Sequence, residues 1–279
     1  MIDALYAKPF AGELQRLAGS LADMHRCAEP FPHTVIDSFL PESVLAAAAV
    51  TFPGRDELGW RVYDHEQEMK REFSRVETLP DPLRQLLLFL NSAIMLEFLE
   101  QLTGIDGLIP DPYFGGGGLH EIEPGGWLEV HADFNRYERL RLDRRINLLL
   151  YLNRDWREHY GGHLELWDRE MTGCVKRVLP VYNRCVIFNT TDQAFHGHPT
   201  PLRCPPDRTR RSLALYYYSN GRPAMEQAPA HSTLWQQRPG VAGPRRGHWR
   251  RSAKRFLLRL TPPIAIEAYE RLRRPPRLR

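Results

Sequence analysis

The chain has 279 residues, 42% of them hydrophobic and 26% charged, which is ordinary for a globular protein and ample for a sizeable core. No run of about 18 uncharged apolar residues occurs. The opening residues, MIDALYAKPFAGELQRL, lack an unbroken apolar stretch followed by a small-residue cleavage site, so neither a transmembrane helix nor a secretory leader is expected.

The four cysteines (Cys27, Cys174, Cys185, Cys204) show no paired metal-ligand spacing. Reduced thiols in a cytoplasmic protein are expected. The net charge of +4 hides an asymmetry. From Val241 onward twelve Lys/Arg face two acidic residues, Glu267 and Glu270, while the rest carries 26 basic against 32 acidic residues, a balance of −6. The basic excess therefore belongs to a C-terminal tail. Such a tail suits contact with nucleic acid, an anionic membrane surface or an acidic partner, and equally suits a solvated helix lying on the acidic body.

In chain order, Thr34–Ile36 reads as a short strand, followed by a helix opened by Pro41-Glu42-Ser43. Asp81 to Thr103 reads as one long helix: Pro82 suits its first turn, Leu86, Phe89, Leu90 and Ile94 recur at helical spacing, and Gly104 stops it. The breaker cluster PDPYFGGGG, 110–118, begins a different regime. Strand-like runs follow at Leu119–Ile122, Trp127–Ala132, Arg145–Leu152, Gly162–Trp167, Lys176–Val181, Arg184–Phe188 and Arg211–Tyr218, with turn residues between them. Short antiparallel strands at this density predict a jelly roll or sandwich. Three regions result: an N-terminal elaboration over 1–109, a β-rich core over 110–220 and a C-terminal extension over 221–279.

The chemistry-bearing pattern begins at His131-Ala132-Asp133. Side chains two apart on a strand share a face, so an imidazole and a carboxylate can grip one metal ion together. Two histidines and one carboxylate on one side of an octahedron leave three positions open, the arrangement of non-haem iron(II) oxygenases. Alone the motif is weak in a chain with eleven histidines, and a structural His–Asp hydrogen bond would explain it equally well. A third ligand is expected from a later strand end, where His196 stands in DQAFHGHP. His198, two residues on, competes for that role. Pro199 restricts its backbone and Gly197 lets the chain bend between the two rings, so His196 is preferred. Arg210, at the head of RRSLALYYY, offers the fork that a dicarboxylate cosubstrate needs, although it is one of several neighbouring arginines.

Taken together, HAD at 131–133, NLLLYLNRDW at 147–156, GGHLELW at 161–167, CVIFNT before His196 and Arg-x-Ser at 210–212 resemble the prolyl-4-hydroxylase-like branch of the 2-oxoglutarate/Fe(II)-dependent dioxygenases. The resemblance covers 110–218, in the family's order. It implies a mainly β fold with flanking helices and a double-stranded β-helix (jelly-roll, cupin-like) core. It also implies iron(II) at His131, Asp133 and His196, with 2-oxoglutarate on Arg210 and its distal carboxylate shared by Tyr151. O2 would be the other cosubstrate and ascorbate a reductant.

The residue pattern is compatible with the Tyr151 role. In INLLLYLN, Ile146, Leu148, Leu150 and Leu152 form an apolar face suited to helices, and Asn147, Leu149, Tyr151 and Asn153 form a mixed face suited to the barrel interior. A Tyr151 that only fills the core remains the alternative. The sequence departs from the family in the long, proline-rich gap between His196 and Arg210.

The implied activity is hydroxylation of a C–H bond in a peptidyl or small-molecule substrate, a prolyl or other amino-acid group among them, with release of succinate and CO2. Asp133 favours hydroxylation, because relatives that transfer halide lack this carboxylate. The alternatives are the same chemistry on a sugar, lipid or secondary metabolite, a structural zinc site, and a non-catalytic β-sandwich binding module.

Overall fold

The computed structural model describes residues 2–241. Apart from Val241, the basic tail lies outside the described residues. Two helices open the chain, α1 (Asp3–Tyr6) and α2 (Lys8–Arg26). Next come β1 (His33–Ile36), α3 (Glu42–Val50), the paired strands β2 (Arg61–Asp64) and β3 (Met69–Phe73), and helices α4 (Asp81–Leu90) and α5 (Ala93–Thr103). After the short β4 (Ile109–Pro110) follow β5 (Gly118–Ile122), β6 (Leu128–Ala132), β7 (Arg136–Tyr137), β8 (Leu142–Tyr151), β9 (Leu164–Trp167), β10 (Cys174–Val178), β11 (Cys185–Asn189), β12 (His196–His198) and β13 (Arg210–Ser219). The last described strand is β14 (Leu234–Trp235).

The larger sheet runs β1-β11-β8-β13-β5-β3-β2, with β4 on β13 and β7 on β8; the smaller runs β10-β9-β12-β6-β14. Leaving β7 aside, the strands from β5 to β13 alternate between the two sheets except at β9–β10, where the chain doubles back. This is the expected double-stranded β-helix. Each of the seven strand-like runs contains a strand, with ends displaced by up to three residues.

The two faces of β8 set the layering. Ile146, Leu148 and Leu150 join Leu213, Leu215, Cys185 and Ile187 in a core shared with helical residues such as Leu83, Leu86, Met95 and Phe98. The helices thus cover the outer face of the larger sheet. Each such leucine contributes about 1.5–3 kcal/mol by burial. The opposite face turns inward, where Tyr151, Val186 and Phe188 meet Leu164, Leu166 and Val178 of the smaller sheet.

One long helix over Asp81–Thr103 does not form. Asn91 and Ser92 interrupt it, and the two halves bend by 43°. The Asn91 side chain donates to the Asp111 carbonyl at 2.9 Å, and Ser92 has extended backbone at ψ 164°. Both residue types favour such local alternatives to helical bonding. No single described helix is long and apolar enough to cross a membrane.

Strands β2, β3 and β12 have no counterpart among the sequence-derived runs. Charge obscures the first pair, Arg61–Asp64 and Met69–Phe73. Gly197 weakens β12 locally, and only its neighbours β6 and β9 hold it extended. The N-terminal region lengthens the larger sheet at both ends, through β1 and through β3 with β2. The segment after Ser219 returns to the smaller sheet as β14 on β6.

Leu148 is fully buried between sheet and helices. Leu148→Ala should lower unfolding free energy by about 2–5 kcal/mol in denaturant titration, with no loss of metal binding by the folded fraction.

Candidate metal centre

Strand β6 presents His131 to the interior and releases Asp133 just beyond its end. In the antiparallel pairing of β12 with β6, His196 lies opposite His131. The two rings are 4.5 Å apart between centroids. Asp133 closes the triangle, with Oδ1 3.7 Å from His131 Nε2 and Oδ2 3.5 Å from His196 Nε2. One ligand atom from each residue lies within 4.8 Å of the others, a spacing that could hold a metal ion.

The outer nitrogen of each ring is already committed. His131 Nδ1 donates to the Glu129 carbonyl at 2.8 Å, and His196 Nδ1 to the Ala194 carbonyl at 2.9 Å. Those bonds fix the tautomer and aim both Nε2 lone pairs at the same point. Burial pushes His196 down to about 4, so its ring is neutral near pH 7. Burial alone would raise the Asp133 carboxyl, but Arg144 and the two histidines outweigh it and hold the group well below the usual carboxylate range. Neutral imidazole and ionised carboxylate are the forms that bind metal without first losing a proton. No fourth side chain joins the cluster among the described residues, which leaves positions open for exchangeable ligands, as iron(II) oxygenase chemistry requires.

Three contributors have no role assigned from sequence, although the strand pattern puts Asn147 on the interior face. Arg144, 1% exposed, pairs with Asp133 Oδ2 at 3.0 Å and donates to Asn147 Oδ1 at 2.9 and 2.7 Å. Asn147 in turn donates to Asp133 Oδ2 at 2.7 Å. The guanidinium lies over the rings of Phe134 and Tyr216, 4.5 and 3.5 Å from their centroids. Strict alternation along β8 would put Arg144 with Ile146 on the outer face. A register shift beside β13, where Tyr217 faces Ile146 but Tyr218 faces Arg144, turns it inward. The third is Trp235 of β14, paired with His131 in register. Its ring lies 5.1 Å from that of His131, and His65 packs on its edge at 6.3 Å.

Deeper inside, Arg210 is 4% exposed. Its Nε donates to the Gly162 carbonyl at 2.8 Å and its Nη2 to the Tyr151 hydroxyl at 3.2 Å. No carboxylate pairs with it among the described residues, and burial lowers its pKa. A buried guanidinium without a counter-ion is costly and suits an incoming carboxylate. Gly162, at φ +72°, lets the arginine lie against the backbone: a Cβ there would stand 3.0 Å from Arg210 Cδ and 2.6 Å from Leu202 Cδ2. The proline-rich gap does not displace Arg210. Leu202 and Cys204 pack with Ile122, Trp156 and Tyr160, and Leu202 exchanges backbone hydrogen bonds with Gly125 and Gly126. His198 is buried beside this region but outside the metal cluster.

The donor set and the unpaired arginine thus fit iron(II) and a dicarboxylate. Residues 117–218 match the family model described as the 2OG-Fe(II) oxygenase superfamily. No curated protein matches the chain. Among solved structures, a Pseudomonas putida prolyl-4-hydroxylase superposes with TM-score 0.52 at 19% identity, covering 73% of this chain and all of that one. A Trichoplax adhaerens prolyl hydroxylase, solved with a hypoxia inducible factor oxygen degradation domain peptide fragment, gives 0.55 at 15% identity, covering 76% and 94%. A Phytophthora capsici prolyl 4-hydroxylase gives 0.51 at 20%, covering 75% and 65%. At these identities the likeness is one of fold.

The buried histidines make the metal-free protein acid-sensitive. Burial holds His120 at about 3 and His196 at about 4, and depresses His25, His33 and His198. The unfolded chain takes up protons below about pH 6.5 that the folded chain refuses. Stability is therefore full above that pH and falls toward pH 4, by up to about 1.4 kcal/mol per pH unit for each group. Glu72 and Glu165, raised by burial, oppose the trend at its acid end. Urea titration of metal-free protein at pH 7.5 and pH 5.5 should show the loss.

Proposed function

We propose that this chain, a 2OG-Fe(II) oxygenase over residues 117–218, hydroxylates a C–H bond of an amino-acid group, prolyl or other, using iron(II) held by His131, Asp133 and His196. The observation that carries the reading is the convergence of those three side chains in one barrel with a buried arginine that no carboxylate of the described residues pairs with. A non-catalytic binding module has no need for this full set.

When bound, iron(II) with 2-oxoglutarate and O2 supplies an oxidant that places one oxygen atom in a substrate C–H bond, as succinate and CO2 are released. The protein's own part is positional. His131 and His196 present their Nε2 atoms in tautomers fixed by the Glu129 and Ala194 carbonyls. Asp133 stays ionised and oriented because Arg144 and Asn147 hold Oδ2. Arg210 binds the distal carboxylate of 2-oxoglutarate, with Tyr151 beside it. Trp235 covers the outer face of His131 and limits water at the ligand ring.

A surface cavity of about 620 Å³ begins at Phe134, next to Asp133, and includes Gly115, Gly116, Tyr137, Glu138 and His231 in its lining. Its aromatic floor and mixed-charge rim suit an amino-acid residue presented on a chain. The peptide bound by the Trichoplax enzyme supports a peptidyl substrate. A sugar, lipid or secondary metabolite is the alternative.

Under anaerobic conditions, iron(II) and 2-oxoglutarate should give the weak visible charge-transfer band of a chelated complex; iron binding without a band at saturating 2-oxoglutarate removes the cosubstrate from the reading. His196→Ala should abolish iron binding. Arg210→Ala should keep iron and raise the 2-oxoglutarate requirement by orders of magnitude, since a buried carboxylate loses a forked partner.

The substrate is tested by substrate-stimulated succinate formation across peptides, free amino acids and small metabolites. Stimulation by peptides or amino acids is expected. Stimulation confined to sugars, lipids or other metabolites would replace the amino-acid reading.

A further inference from the structure

His198 is the anomaly of the interior. It sits on β12 two residues beyond His196; the pairing with β6 is irregular between them, but the pairing with β9 runs unbroken through His196 and Gly197 and keeps the two rings on one side. It is 3% exposed, and neither ring nitrogen has a hydrogen-bond partner among the described residues. Other buried imidazoles among the described residues are bonded: His25 to Thr34 and Asn189, His33 to Phe31, His196 to Ala194. Native interiors rarely leave both nitrogens of a ring unsatisfied, and a group so left marks the place of a missing partner.

The pairing of β12 with β9, His196 to Leu166 and Gly197 to Glu165, carries His198 toward Leu164, two residues from the Gly162 carbonyl that Arg210 grips. Arg210 spends Nε and Nη2 on Gly162 and Tyr151 and meets no carboxylate among the described residues. Two buried groups, a guanidinium and an imidazole with a free N–H, therefore share a region where, among the described residues, no anion meets the first and no acceptor the second. Lys70 does not fill that gap, because it is itself a donor and is paired with Glu68 at 3.0 Å. An anionic acceptor would satisfy the imidazole N–H and the guanidinium together.

We propose that His198 is a specificity residue for the cosubstrate: its N–H donates to the carboxylate that Arg210 and Tyr151 bind. The inference rests on the 2-oxoglutarate reading above. The resulting site recognises the second carboxylate through an imidazole, a guanidinium and a phenol. It thereby rejects 2-oxo acids that lack that carboxylate, since they would leave three buried polar groups unmatched. His198 touches no metal in this assignment, in keeping with its place outside the ligand cluster.

The test is calorimetry on protein loaded with redox-inert zinc(II), titrated with 2-oxoglutarate and with 2-oxopentanoate, which keeps the chelating head and lacks the second carboxylate. His198→Leu should retain its metal and bind 2-oxoglutarate roughly tenfold more weakly, while 2-oxopentanoate affinity is unchanged. His198→Gln, which keeps an N–H donor, should recover most of the selectivity.

Equal weakening of both ligands in His198→Leu, unchanged 2-oxoglutarate affinity, or loss of metal would each overturn the proposal. If His198→Leu does not fold, the same affinity ratio is read on His198→Gln against wild type. Retained selectivity there supports the donor role and lost selectivity overturns it. Failure of the wild-type protein to bind 2-oxoglutarate would instead defeat the underlying reading.

Discussion

A carboxylate meant to grip a cation has to sit inside the barrel as an anion, and burial opposes that state. Asp133 remains ionised because Arg144 lies against it, and Arg144 can be there because aromatic rings cover its faces and Asn147 accepts from its edge. The arrangement is one of mutual support: the arginine would be an unpaired buried cation without the aspartate, and the aspartate would take up a proton without the arginine. The two histidines then need only be aimed, which their backbone partners and the register of β12 on β6 provide. Bound metal would add a second cation to a carboxylate that already has one, so the Arg144 pair also limits how tightly the ion is held.

Much of this was legible in the sequence, because it follows period two. His131 and Asp133 share a face by simple alternation, and the two sides of INLLLYLN separate helix-facing leucines from an interior carrying Asn147 and Tyr151. What was not legible broke the period or came from far away. Arg144 changes face through a single register shift, which no alternation pattern reveals. β12 has a glycine at its centre and is a strand only because β6 and β9 flank it. The pause at Asn91–Ser92 is set by a hydrogen bond to Asp111, twenty residues on. Trp235 covers His131 from a segment whose composition, HSTLWQQRPG, carries no periodic signal.

The long approach to Arg210 shows how an insertion can leave a site undisturbed. Its prolines cannot extend a ladder, so the segment leaves the sheet after His198. It is pinned instead by Leu202 and Cys204 in a small apolar cluster. Arg210 then enters β13 in register with Ile122. The extra residues are taken up at the barrel mouth, where variation is tolerated.

The place of β13 in the larger sheet bears on how the molecule is assembled. β13 lies between β8 and β5, yet it is the last of the core strands to be synthesised. Before it emerges, β2, β3 and β5 can form one partial sheet and β1, β11 and β8 another, but nothing joins them. Each presents an inner edge with unpaired backbone groups and an apolar flank. Pairings this distant in sequence form slowly, and the half-sheets are the kind of intermediate that associates with its own kind. Completion of the domain is therefore a late event, with two strand edges held open until the chain through Ser219 is free of the ribosome.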